Sequence, residues 1–215
     1  MLGILLKERL VIAHKHKKIR YLIDVITIIA FMFILEGQGA IVLPYILVPL
    51  EVLSVIVTLA ANDEESKWNR FAIALPVKKQ DIVKARFGYI TIILLIGTAI
   101  TFGINLLGYF IFHDFKLMLH IAATLGVLLL TLFLLSILLM TSYLSGANAT
   151  FIALTAFIII LLVITFITDR LKINLAGIIA DNFSIAILGT IIFVALFYFF
   201  AFKVSVWAFS KNCDR

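Results

Sequence analysis

Residues 62–87, NDEESKWNRFAIALPVKKQDIVKARF, are the one long polar stretch lying between two strongly apolar runs. Trp68, Phe71, Ala72 and Leu75 fall at i, i+3, i+4 and i+7, with Glu65, Lys67, Asn69 and Arg70 on the other sides, so the spacing predicts a short amphipathic helix. Asn62 can cap its first turn with Glu65 three residues on, and acidic residues there complement the positive end of the helix dipole. Pro76 forbids continuation and biases Leu75 out of the helical region. The basic residues that follow, Lys78, Lys79, Lys84 and Arg86, place this segment on the cytoplasmic side by the positive-inside rule.

Outward from that segment the chain is greasy. Of its 215 residues 64% are hydrophobic and 14% charged, too apolar a mixture to cover a globule with a water-compatible surface, so the chain is read as an integral membrane protein. The net charge of +6 does not point to nucleic acid, because Lys and Arg gather beside apolar runs, where they set orientation and attract anionic headgroups. The single cysteine, Cys213, excludes an internal disulfide, and it is not followed by a prenylation box. Leu2, Leu5, Leu6, Leu10 and Ala13 share one face of a helix over 1–14, too short and charged to span and therefore interfacial; no cleavage signal follows it.

Apolar runs predict an all-α, single-domain, polytopic fold with six spans, at about 21–35, 40–61, 88–112, 117–144, 150–168 and 185–207. Both termini then lie in the cytoplasm. Of the 18 Lys and Arg residues only Lys116, Arg170 and Lys172 fall on the outer side, which favours this orientation over its inverse. The INLAGIIA run before Asp181 is too short to cross and reads as an outer re-entrant or interfacial segment.

The acidic cluster, the short helix ending in Leu75-Pro76-Val77 and the basic return with Lys78, Asp81 and Arg86 resemble the permease subunits of ABC-2 type transporters, in particular the small six-span proteins encoded apart from their ATPase. The resemblance spans the chain by topology and residues 62–87 by motif. It implies that Glu65, Trp68, Phe71, Leu75, Pro76, Val77, Lys78 and Asp81 form a coupling element docking on an ABC ATPase subunit. It also implies a second permease, homo- or heterodimeric, and export of an amphipathic or hydrophobic substrate such as a peptide or drug from a bacterial cell. The sequence has no G-x-x-x-x-G-K-[ST] and no Gly-Lys pair, so ATP is expected on the partner subunit, with no cofactor and no catalytic residue here. Leu144-Ser145-Gly146-Ala147-Asn148 superficially matches the ABC ATPase signature but joins two spans, and is read as a turn.

Two readings of the loop helix stay open, docking on a partner and anchoring in the headgroups. Glu51 lies near the middle of span two, where an ionised carboxylate costs at least ~2.5 kcal/mol, so it faces the bundle interior, a watery path or a cation, as pathway lining or as one half of a structural pair. Asn105, with Thr124, Thr131, Ser136 and Thr141, reads as interhelical hydrogen-bonding glue that could border a pathway, and Gly97, Gly103 and Gly108 as sites of close helix approach. The four histidines lack metal-ligand spacing, so no metal site is expected. A membrane immunity or sensor protein that binds a peptide or toxin without moving it is the alternative function. A lipid-modifying enzyme finds no clustered catalytic groups.

Overall fold

The computed structural model describes residues 2–15, 18–34, 44–68, 71–72, 77–112, 117–170 and 183–213. Most of them fall in six helices: α1 Leu2–Lys15, α2 Lys18–Ile34, α3 Pro44–Glu65, α4 Lys79–Phe112, α5 Leu117–Arg170 and α6 Phe183–Cys213. The expected re-entrant segment and the outer turns of the first two helical hairpins lie outside these residues.

Among the described residues three helices are long and apolar enough to cross a membrane: Lys79–Phe112, Leu117–Gly146 and Ile185–Lys211. Their large apolar side chains point outward as well as inward, Phe110, Leu188 and Leu196 each about two-thirds exposed. Such an apolar exterior is stable only against lipid. α2, at 17 residues, also exposes Leu22, Ile26 and Phe33, and touches the bundle where the Phe33 and Phe112 rings meet edge to face at 5.6 Å.

α5 packs against α3, α4 and α6, and α1 lies against α3 and α4. The core gathers toward one end: Val55, Ile56 and Leu59 of α3, Ile90 and Leu94 of α4, Leu135, Leu138 and Leu139 of α5 and Phe209 of α6. α4 feeds this core from a stripe at three- and four-residue steps, Val83, Phe87, Ile90, Leu94, Thr98, Thr101 and Asn105. At 34 residues α4 is about 51 Å long, so with a hydrocarbon layer of about 30 Å its first turns project beyond it. We call the projecting side the charged end.

Three expectations are corrected. Residues 62–65 continue α3: Asn62 caps no new helix, since its carbonyl accepts from Ser66 N at 3.0 Å and Ser66 Oγ at 2.6 Å. α3 stops after Glu65 with Lys67 in the left-handed region at φ 49°. The hydroxyls of Ser136 and Thr141 bond carbonyls of their own helix instead of a neighbour, as Ser and Thr do where the i−4 carbonyl is in reach, and Thr131 Oγ1 has no partner among the described residues. Gly97 and Gly103 mark no close approach, because a Cβ at the first would sit 3.9 Å from Val48 and at the second would meet open space.

The predicted 145–148 turn is a break in α5 at Gly146, with φ 83° and ψ −169°, a region reserved for glycine. A Cβ there would also collide with Glu64 Oε1 at the end of α3. Gly146→Ala should lower stability by about 1–3 kcal/mol, seen as a fall in the thermal midpoint of the detergent-solubilised protein. Adding Glu64→Ala should recover only the steric part, leaving the backbone part in place.

Candidate functional site

The charged end is organised around four ionisable side chains from three helices. Arg86, in the second turn of α4 and on its buried stripe, directs Nη2 to Glu8 Oε1 of α1 at 2.8 Å and to Asp63 Oδ2 of α3 at 2.6 Å. Lys7 of α1 holds the other oxygen of Asp63 at 2.5 Å and lies 3.9 Å from Glu8. Two cations meet two carboxylates, so the cluster is neutral although Glu8, Asp63 and Arg86 are all buried.

Each member sits where local forces alone would not put it. Asp63 is at the negative end of the α3 dipole, an unfavourable placement of about 0.3–1 kcal/mol that its two short ion pairs outweigh. Glu8 falls between Ile4 and Ile12 on the face of α1 that enters the core, while Leu6 and Leu10, which the sequence assigned to the working apolar face, are exposed at 51% and 61%. Thus α1 has two apolar sides, one against protein and one turned outward. The ring of Tyr143 on α5 lies 5.7 Å from the Arg86 guanidinium and meets Phe209 of α6 edge to face, which brings the last two helices to the same point.

The network is not fully satisfied among the described residues. Arg86 Nε and Glu8 Oε2 have no hydrogen-bond partner among the described residues. Beside Arg86 a cavity of about 130 Å³ is lined by Asp63, Glu64, Tyr143, Ser145 and Gly146 together with apolar Ala60, Leu144 and Phe209, a size that suits water.

The residues expected to form the coupling element divide in two. Trp68 and Val77 are half-buried against the core, and Lys7 Nζ lies 3.9 Å above the Trp68 ring, a cation–π contact joining the segment to the ion network. Glu65, at the end of α3, and Lys78 are exposed, and Phe71 is 70% exposed although helical Ala72 beside it is buried. Asp81 stands in the first turn of α4, its N–H bonded to the Lys78 carbonyl at 2.8 Å. Leu75 and Pro76 lie outside the described residues.

Neither Glu51 nor Asn105 borders the charged-end cavity. Glu51 is half-buried on α3. Asn105 is buried about 28 Å along α4 from Arg86 at ~1.5 Å per residue, where it donates to Thr124 Oγ1 at 3.3 Å and pairs with His120 Nδ1 at 3.2 Å. Both partners are on α5, so Asn105 is interhelical glue as read from the sequence.

A family model described as ABC-2 family transporter protein matches residues 3–210. The chain belongs to the ABC-2 transporter family. As an ABC-2 permease it is a multi-pass membrane protein, and the family implies association with an ABC ATPase. No curated protein and no solved structure gave a match.

The ion network of this permease was missed because Glu8, Asp63 and Arg86 stand in charged runs that read as solvated or orienting. The available signal was spacing: Ile4, Glu8 and Ile12 at i, i+4 and i+8, and Val83, Arg86, Phe87 and Ile90 on one stripe. Arg86→Met should destabilise the fold by about 3–5 kcal/mol, because two buried carboxylates lose their shared cation. Glu8→Gln combined with it should cost less than the sum of the single changes, measurable as a double-mutant cycle of unfolding midpoints. Asn105→Leu should cost only about 1 kcal/mol in the same assay.

Proposed function

We propose that this permease has six spans with both termini in the cytoplasm, pairs with a second permease, and exports an amphipathic or hydrophobic substrate driven by ATP bound and hydrolysed on a separate ABC ATPase. The segment over 68–78 is the docking element. The observation that carries this reading is the division of that segment: Trp68 and Ala72 grip the bundle while Phe71, one step around the turn, is 70% exposed. A single large aromatic held out from a fixed base is the kind of anchor a groove on a partner recognises. The exposed Glu65 and Lys78 supply a polar rim of both signs around it.

The ion network gives this element mechanical reach. Trp68 contacts Lys7, Lys7 pairs with Asp63, and Asp63 shares Arg86 with Glu8. A displacement imposed on the docking segment by ATPase closure is therefore delivered to α1, the end of α3 and the start of α4 together. α4 carries it through the span to the pair made by Asn105 and His120, where α5 receives it. Hydrophobic substrates suit the apolar exterior, from which they can enter laterally.

Two measurements test the reading. With Cys213 replaced by Ser, Phe71→Cys should react with a membrane-impermeant maleimide in inside-out vesicles and not in intact cells; the reverse pattern would place the docking element outside and end the proposal. Phe71→Asp should reduce co-purification of the ABC ATPase by at least tenfold while leaving the thermal midpoint within about 1 °C, since the side chain is exposed. Undiminished co-purification would remove Phe71 from the interface.

A further inference from the structure

The last three turns of α6 have two unlike faces. Ala201, Ser205, Ala208 and Phe209 are buried in the bundle, which fixes the rotation of the helix. That rotation turns Phe199, Lys203, Trp207 and Lys211 outward at successive steps of four, with Phe199 60% and Trp207 56% exposed and both lysines exposed. Cations and rings alternate along the stripe: Lys203 Nζ lies 5.3 Å from the Phe199 ring centroid and Lys211 Nζ 5.0 Å from that of Trp207.

Among the described residues neither lysine has a carboxylate within ion-pairing distance. The contrast with Lys7 and Arg86, both neutralised inside the protein, is sharp. Lys203 stands about 12 Å inward from Lys211 at ~1.5 Å per residue, within the helix Ile185–Lys211 that is apolar enough to span. An ammonium at that depth draws an anion toward it, because its charge is poorly solvated there. Beyond it, Leu196 and Phe200 continue an exposed apolar track suited to hydrocarbon chains.

We propose that this stripe is a binding site for an anionic phospholipid. The headgroup phosphate sits between Lys203 and Lys211, the Trp207 indole N–H donates to the phosphate or glycerol ester oxygens, and an acyl chain lies along Phe200 and Leu196. A zwitterionic lipid fits less well, because its own ammonium competes with the two lysines. The site rests only on α6 spanning the bilayer, independent of any ATPase partner.

The chain has two tryptophans, so Trp68→Phe leaves Trp207 as the sole reporter. The variant is reconstituted in phosphatidylcholine vesicles holding a minor fraction of brominated phosphatidylglycerol or, separately, brominated phosphatidylcholine. Quenching by the anionic lipid should saturate at the lower mole fraction, roughly fivefold lower per lysine engaged. Lys203→Gln with Lys211→Gln should bring the two lipids to parity. Equal quenching before those substitutions overturns the proposal, and so does failure of both lipids to quench, which would mean a second permease covers the face. Should Trp68→Phe fail to fold, native mass spectrometry of the unsubstituted protein and the double lysine variant reads the same contrast. Retention of phosphatidylglycerol by the first and not the second supports the site, and equal retention overturns it.

Discussion

A single guanidinium holds the charged end together. Arg86 is buried and bonded through one nitrogen to carboxylates from two other helices, so α1, α3 and α4 meet where hydrophobic packing alone would allow them to slide. Apolar contacts between helices give little directional preference when the surroundings are also apolar. Ion pairs inside that environment fix register, since any shift that parts them leaves buried charge uncompensated. The rest of the charged end follows from that constraint: the ending of α3, the seating of α1, and the attachment of Trp68 through Lys7.

The constraint also explains why helix-end rules misplaced a boundary. Asn62 to Glu65 looks like a helix start because Asn caps well and acidic residues suit a positive dipole end. These are effects of about 1 kcal/mol or less in exposed settings. The pairing of Asp63 with Lys7 and Arg86 is tertiary and lies across 56 residues in the case of Lys7, so no local window contains it. The same residues close α3 instead of opening the next helix.

Much of the remainder was legible. Long apolar runs gave α4, the first half of α5 and α6, because a spanning segment is announced by its own composition. Gly146 was readable as a break, and Asn105 as interhelical glue. The Leu6 and Leu10 face of α1 was readable as apolar, whereas the Ile4, Glu8 and Ile12 face that meets the bundle was not. In a membrane protein both faces of a peripheral helix can be apolar, so the wheel identifies the greasy sides without saying which one meets protein. Glu8 was the discriminating residue: a carboxylate flanked by Ile4 and Ile12 is tolerable only beside a cation.

α4 has no proline and no break from Lys79 to Phe112. Its polar fastenings include an ionic one near the start, at Arg86, and a neutral one near the far end, at Asn105, with Thr91 bonded to Tyr198 of α6 at 3.0 Å between them. A stiff rod pinned at several heights cannot be tilted at one without loading the others. The pin at Asn105, built from an amide, an imidazole and a hydroxyl, is weaker than the ionic one. Under strain it yields before the ionic one, so α4 and α5 part more readily at the side remote from the charges.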